Sequence, residues 1–459
     1  MIYFEYLVFN SNNCILLWGM YNKKSILKVS YPIFLGLLAQ NIINVTDTAF
    51  LGHVGEIELG ASAIGGLYYI LFFTLAFGFS IGAQILMARR NGEGNFSKVG
   101  PILTQSSLFS FIIAIIILIL ARLTASPMLS LMLSSPDIIS AAETYFDWRV
   151  WGFLFSFVNT MYRAFFISIT RTKVLTLNAI VMATINIFLD WALIFGNLGL
   201  PEMGLKGAAL ASVIAEAASL LFFIIYTARH VDMEKYNIKF KFRIDRHLIG
   251  SILNISTFLM LQQFIPFATW FIFFLAIEKL GERELAIANI ARSIYILALI
   301  PINAFQTTVN TLVSNAIGAG FKSRVRKIIN EVAKMSLATG IICAFIMFLI
   351  PGTLLSIYTS DASLIEEAIP TLYVIAVALI ISSVANIQFS GISGTGNARA
   401  ALGIELSCQF GYIIAIFVVT WWLKWPVAAC FVCELVYYIP LLIISLIYLK
   451  SGKWKQVKI

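Results

Sequence analysis

The sequence predicts an all-α integral membrane protein: twelve transmembrane helices in two six-helix lobes related by a pseudo-twofold axis along the membrane normal. Three observations predict it. The chain of 459 residues is 60% hydrophobic and 12% charged, with a mean hydropathy of +0.89, whereas soluble proteins carry about 25% charged residues. Twelve apolar windows each reach the roughly 20 residues that span a bilayer. The two halves of the chain also repeat one another at a fixed offset.

The windows cover residues 27–51, 62–88, 102–124, 143–168, 174–197, 205–228, 249–277, 285–315, 333–357, 369–393, 400–423 and 427–449. The first does not read as a cleaved signal peptide, because the chain runs straight on into the other spans. Residues 1–19, mixed apolar and Asn-rich, precede Met20 and the basic pair Lys23-Lys24. They read as a mis-assigned start, with translation beginning at Met20, or as a disordered extension. Residues 20–228 then form the expected N-terminal lobe, 229–247 a basic linker, and 248–459 the C-terminal lobe. That linker is the longest polar connection, so no soluble domain fits between the spans.

The repeat is ungapped over a long stretch. Gly55-Glu56 and Glu58-Leu59 recur as Gly281-Glu282 and Glu284-Leu285, an offset of 281 − 55 = 226. At the same offset Gly92 and Gly94 match Gly318 and Gly320, Ser97-Lys98-Val99 matches Ser323-Arg324-Val325, and Leu129-Ser130 matches Leu355-Ser356. Six helices per repeat is an even number, so both halves insert with the same orientation.

The net charge of +9 is a topology signal. With the N-terminus inside, 23 Lys and Arg residues fall at the inner ends and five at the outer ends: Arg122, Lys206, Lys279, Arg283 and Lys424. This positive-inside bias predicts a multi-pass protein of the cell inner (plasma) membrane with both termini and the linker in the cytoplasm. The excess charge suits anionic membrane lipid and requires no nucleic-acid partner. Of the five cysteines, Cys14, Cys343, Cys408, Cys430 and Cys433, the last two have CxxC spacing, but inside an apolar helix with no second pair they read as small packing residues.

Two six-helix halves around a central cleft describe a transporter working by alternating access. Enzyme chemistry finds no support: HExxH, P-loop and Cys/His clusters are absent, and His53, His230 and His247 lie at helix ends or in loops. The segment Gly391-Ile392-Ser393-Gly394-Thr395-Gly396 reads as a turn at an inner helix end. No cofactor is expected, so transport is passive or driven by an ion gradient.

Two intramembrane acids carry the functional reading. Gln40, Asn44 and Asp47 form one polar stripe on the first helix, and Asn186 and Asp190 share a face of the fifth. Asp47 and Asp190 lie at similar depth near the outer ends of their helices, and Ser212 starts at that depth from the other direction. A carboxylate near hydrocarbon is costly unless it holds a proton or shares a cation, so Asp47, Asp190, Asn186, Ser212 and Asn44 are the expected cation-coupling residues, with a sodium ion at Asp47, Asn186, Asp190 and Ser212. The offset carries Asp47 to Phe273, Asn186 to Tyr412 and Asp190 to Ile416, which confines the expected ion chemistry to the N-terminal half. Gln262, Gln263, Asn303, Gln306 and Asn310 are expected, with Gln40, to line a cavity for a bulky ligand, or else to act as polar glue between helices. Glu216 and Glu434 occupy similar places in the sixth and twelfth helices and read as structural.

At these residues the resemblance becomes specific. Gln40-Asn41-Ile42-Ile43-Asn44-Val45-Thr46-Asp47 with Phe50-Leu51-Gly52 resembles the first helix of the multidrug and toxic compound extrusion (MATE) family. Pro32 and Gly36 stand where that family bends this helix, and Asn186-x-x-x-Asp190 matches its fifth-helix pair. Gly207-Ala208-Ala209-Leu210-Ala211-Ser212 resembles its sixth helix, with Ser212 in place of the relatives' threonine. The resemblance covers the chain after Met20. It implies a monomeric antiporter for amphiphilic or cationic small molecules, driven by H+ or Na+, with the first-helix acid protonated or sodium-bound during the cycle. The acids that the NorM-like branch carries in its C-terminal lobe are missing, which points to the DinF-like branch.

Other readings separate by sequence. A major-facilitator transporter carries G-x-x-x-D-R/K between helices two and three, where this chain has Ala88-Arg89-Arg90-Asn91-Gly92-Glu93-Gly94. A lipid-linked oligosaccharide flippase of the same superfamily is favoured by arginines facing the cleft, for which Arg149, Arg163 and Arg292 are the candidates. A membrane-embedded enzyme needs clustered His or paired catalytic acids in a cavity.

Overall fold

The computed structural model describes residues 22–132, 135–239 and 244–457. The expectations for residues 1–19, Cys14, Lys241, Arg243 and Lys458 lie outside those residues. Among the described residues twelve helices are long and apolar enough to cross a membrane. They are α1 (Lys23–Val54), α2 (Glu56–Gly92), α3 (Phe96–Ser130), α4 (Pro136–Ser168), α5 (Lys173–Ile194), α6 (Gly204–His230), α7 (Arg246–Glu278), α8 (Glu282–Gly318), α9 (Lys322–Leu349), α10 (Ala362–Gly394), α11 (Ala398–Trp422) and α12 (Val427–Ser451).

Local chemistry sets the ends. The side chains of Asn22, Asp245, Asp361 and Asn397 cap α1, α7, α10 and α11 by accepting first-turn amide hydrogens. Several helices outrun their apolar windows, because capping and packing extend a helix past the bilayer core. The ninth falls short instead: α9 ends at Leu349, and Pro351–Ser356 is a separate short helix begun by Pro351. The expected turn at Gly391–Gly396 is likewise smaller than its sequence suggested. Helix continues through Gly394, and only Gly396 takes a positive φ, of 86°. A Cβ on Gly394 would lie 2.6 Å from the Asn310 carbonyl oxygen, so this glycine permits the close approach of α8 and α10.

The repeat is visible residue by residue. α2 and α8 are each 37 residues long and begin and end at the 226-residue offset. Short 3₁₀ turns follow at Phe96–Lys98 and Lys322–Arg324, and Gly94 and Gly320 hold φ of +72° and +84° before them. The two lobes meet along α2, α7 and α8. Glycines of α2 make that seam possible, since a Cβ on Gly78 would lie 2.5 Å from Met260 Cα, and one on Gly92 2.1 Å from the Asn315 carbonyl oxygen. Hydrogen bonds cross it from Gln84 Nε2 to Thr311 Oγ1 (2.7 Å), Asn91 Nδ2 to Asn315 Oδ1 (2.8 Å), Ser314 Oγ to the Ile85 carbonyl (2.7 Å) and Arg89 Nη2 to the Thr395 carbonyl (2.9 Å). These contacts gather toward the helix ends rich in Lys and Arg. Toward the other end of α2, a Cβ on Gly60 or Gly66 would meet nothing within 4 Å.

The segment after α6 folds back onto the N-terminal lobe. Gly100 N donates to the Tyr236 carbonyl at 2.9 Å, and the Tyr236 ring packs edge-on against Phe96 and Phe165. Burial pushes the Tyr236 phenol above its ordinary pKa. The Asp245 amide donates to Gln105 Oε1 at 2.8 Å, which ties the start of α7 to α3.

Candidate functional site: an acidic pair in the N-terminal lobe and a polar cavity between the lobes

Asp47 lies two turns before the end of α1, Asn186 and Asp190 lie on α5, and Ser212 on α6. The three helices are drawn together by small residues and polar contacts. A Cβ on Gly207 of α6 would lie 2.7 Å from the Leu193 carbonyl group of α5, and the Thr176 hydroxyl of α5 donates to the Pro32 carbonyl of α1 at 3.2 Å. Ser212 Oγ then stands 3.5 Å from Asp47 Oδ2. The carboxyl groups of Asp47 and Asp190 are neighbours across the α1–α5 contact.

Asn186 and Asp190 are both 0% exposed. Among the described residues, Asp47 Oδ1, Asn186 Oδ1 and both carboxylate oxygens of Asp190 are buried without a hydrogen-bond partner. Such a set of oxygens is costly unless a proton or a hard cation supplies the missing contact. Asn44 is exposed, as is Gln40, which lines a separate cavity.

Pro32 removes the amide that would bond the Lys28 carbonyl. The Thr172 hydroxyl stands in, 3.4 Å from that oxygen. Gly36 faces α5 at ordinary contact distance, its notional Cβ 3.7 Å from the Leu175 carbonyl.

Beside the acidic pair lies a second charged group. Arg149 of α4 pairs with Glu216 of α6 at 2.6 Å and 3.1 Å, and its guanidinium sits 3.8 Å from the centroid of the Tyr69 ring. The Tyr69 hydroxyl is 2.8 Å from Ser156 Oγ and 3.2 Å from Glu216 Oε2. Gly152 leaves the room for this pair, since a Cβ there would lie 2.2 Å from Arg149 Nη1. The structural reading of Glu216 therefore has a cause: its charge is neutralised locally by Arg149. Tyr69 was not legible beforehand, because an aromatic residue in a span usually packs or faces lipid.

Glu434 differs. Among the described residues no arginine pairs with it; the Tyr412 hydroxyl donates to its Oε1 at 2.9 Å. Glu405 of α11, which sequence reasoning passed over, is buried and receives hydrogen bonds from Gln409 (3.0 Å) and Tyr437 (2.8 Å). The counterpart of the acidic pair in this lobe is an aromatic plug, in which Phe273 stacks on Tyr412 with centroids 6.3 Å apart and packs on Phe431.

Between the lobes lies a cavity of about 230 Å³. Gln262, Gln263, Asn303, Gln306 and Asn310 all line it, together with Gln84, Ser80, Thr160 and Arg163. Gln40 instead lines an adjoining cavity of about 100 Å³ inside the N-terminal lobe, with Gly36, Asn178, Asn159 and Glu216. Thr160 and Arg163 border both cavities. Of the three intramembrane arginines, Arg149 is paired, Arg292 lies over the Phe274 ring at 4.7 Å, and Arg163 faces the cleft.

Twelve spans in two like-oriented repeats with a polar cavity at their junction define the architecture of a polytopic secondary transporter. The family model MatE matches residues 32–192 and 259–432, one stretch in each lobe, and the chain belongs to that family. It is 24% identical over 438 residues to the probable multidrug resistance protein NorM of Thermotoga maritima, covering 95% of this chain and 93% of that one. It is 24% identical over 384 residues to the multidrug resistance protein PmpM of Pseudomonas aeruginosa, covering 83% and 78%. Among solved structures, an outward-facing multidrug resistance MATE transporter of the MOP superfamily superposes with a TM-score of 0.86 at 17% identity, covering 94% of this chain and 96% of that one. A MOP superfamily transporter from Pyrococcus furiosus, described as having a binding pocket of reverse polarity, superposes with a TM-score of 0.86 at 18% identity, covering 96% and 99%. These likenesses carry the fold.

Proposed function

We propose that this protein is an antiporter that exports amphiphilic small molecules in exchange for H+ or Na+, with the cation bound at Asp47, Asn186, Asp190 and Ser212. The observation that carries this reading is the acidic pair: Asp190 fully buried beside the half-buried Asp47, with partnerless oxygens, while the nearby Arg149 is ion-paired to Glu216. A cation arriving at that site neutralises charge that the lobe otherwise leaves unpaired. Its release permits the opposite state, so the cation and the substrate bias one equilibrium between two arrangements of the lobes. The names of the relatives, multidrug resistance proteins, support small-molecule export. The lobes divide at residues 229–247, the chain acts as a monomer without prosthetic group or enzymatic activity, and the missing C-terminal-lobe acids favour the DinF-like branch. Arg163 on the cavity wall favours one second reading, a flippase of the same superfamily.

Efflux from proteoliposomes under separately imposed proton and sodium gradients tests the mechanism. Asp47→Asn is expected to insert normally and lose gradient-driven efflux, Asp190→Asn to lose most of it, and Glu434→Gln to keep it. Wild-type efflux in Asp47→Asn would sink the mechanism, and equal loss in Glu434→Gln would move the coupling site to the C-terminal lobe. For topology, the Lys- and Arg-rich ends support a reading in which both termini and the 229–247 segment lie in the cytoplasm of a cell whose inner (plasma) membrane holds the protein. An external thiol reagent should label a cysteine placed at Gly55 or Gly281; labelling one at Lys239 in intact cells would reverse the orientation.

A further inference from the structure

The cavity between the lobes has a charge pattern that the export reading alone does not explain. Among the described residues its lining contains no Asp and no Glu, and its one charged side chain is Arg163. Among the described residues that guanidinium has no ion pair and no hydrogen bond, and the centroid of the Phe77 ring lies 6.0 Å away. The nearest carboxylate on either cavity wall, Glu216, is engaged by Arg149 at 2.6 Å and 3.1 Å and by the Tyr69 hydroxyl. An arginine in a low-dielectric site with no counter-ion is costly, and its planar fork of donors matches a carboxylate, sulfonate or phosphate. Around it the wall supplies carboxamides, which donate as well as accept, and an apolar strip that includes Leu37, Phe77 and Ile81.

We propose that the cavity between the lobes takes an amphiphile with an acidic head, bound through Arg163, rather than an organic cation. The carboxamides of Gln262, Gln263 and Gln306 hold the polar flank of that head, and the apolar strip receives the body next to it. Arg163 borders both the central and the N-terminal-lobe cavity, so the anion sits where it meets both lobes. The proposal deepens the export reading by naming the charge of its substrate, and equilibrium binding tests it without any gradient. Failure of ion coupling and failure of the charge assignment are therefore separable.

The probes are two xanthene dyes of similar skeleton and opposite charge, fluorescein as the anion and rhodamine 6G as the cation, with binding read by anisotropy in nanodiscs of phosphatidylcholine. Wild type is expected to prefer fluorescein. Arg163→Gln should weaken fluorescein about tenfold or more, the scale of one lost charge-assisted contact, while Arg163→Lys retains most of the affinity. Thermal melting of each variant separates lost binding from lost folding, and Gln306→Leu provides a second, uncharged perturbation expected to weaken fluorescein several-fold. Preference for rhodamine 6G, or fluorescein binding unchanged in Arg163→Gln, overturns the proposal. The same titration in nanodiscs containing phosphatidic acid distinguishes the source of the acidic head: displacement of fluorescein assigns the site to a lipid headgroup, and undiminished binding assigns it to a water-soluble organic anion.

Discussion

Asp47 and Asp190 were legible as residues, because an acid inside an apolar helix announces itself in any hydropathy reading; that their carboxyls approach each other depends on how α1 and α5 pack. The charged neighbour, Arg149, was visible as an intramembrane arginine, but its partner was not. Sixty-seven residues separate it from Glu216, and only the packing of α4 on α6 joins them. The pair is nearly buried, with side chains 13% and 7% exposed, so removing one partner strands the other charge. Arg149→Gln is expected to destabilise the protein by about 3–5 kcal/mol, and the double change Arg149→Gln with Glu216→Gln to recover part of that loss. Denaturant unfolding in detergent measures both; a single variant as stable as wild type would show that the pair is solvated in place.

Helix 1 shows what an element adds to its residues. Proline within a helix leaves one carbonyl without its amide donor, and here the Lys28 oxygen is met by the Thr172 hydroxyl while Thr176 holds the Pro32 oxygen. The helix is thus clipped to α5 at the point where its own ladder is broken, between its inner end and Asp47. That arrangement suits a helix that bends relative to α5 during the cycle. Pro32→Ala restores the internal bond to Lys28, so transport is expected to fall several-fold with folding intact, measured as efflux per inserted protein. Unchanged turnover would leave helix bending without support. The sequence marked Pro32 and Gly36 by position, yet the two threonines that complete the device belong to another helix and carried no signal of their own.

Across the whole molecule, the lobes are sealed at the Lys- and Arg-rich ends by the α2–α8 crossing. Gly92 and Gly318 bring the two helix backbones together there, Gln84 and Asn91 lock them across the seam, and Arg89 reaches on to the Thr395 carbonyl at the end of α10. On the proposed topology this closed end, with the cavity behind it, fits a state in which the cavity is shut off from the cytoplasm. Gly92→Val forces side-chain atoms into the Asn315 backbone, so the seal is expected to loosen. A cysteine placed at Ala316, buried in the wild-type seam, should then react with a thiol reagent in inside-out vesicles, and Gly60→Val at an open position should leave it protected. An unreactive Ala316→Cys in the Gly92→Val background would show that the seam is not what closes this end.

The sequence by itself determined the class, the number and order of the spans, the 226-residue repeat and the identity of the acids. Each of these is a linear property: apolar length set against bilayer thickness, recurrence at a constant offset, and the cost of a charge in hydrocarbon. The end of α9 was misjudged because a proline signals a break without saying how far packing will carry the helix on either side of it. Only the tertiary structure decided which polar residues share a space. It gathered Gln262, Gln263, Asn303, Gln306 and Asn310 around one cavity, sent Gln40 to another, and filled the second lobe's equivalent of the acid site with Phe273 and Tyr412. It also left Arg163 in the cleft without a counter-charge while giving Arg149 to Glu216. The physical reason is that pairing and burial depend on distances between helices far apart in the chain, and no periodicity along one helix encodes which neighbour its polar face will meet.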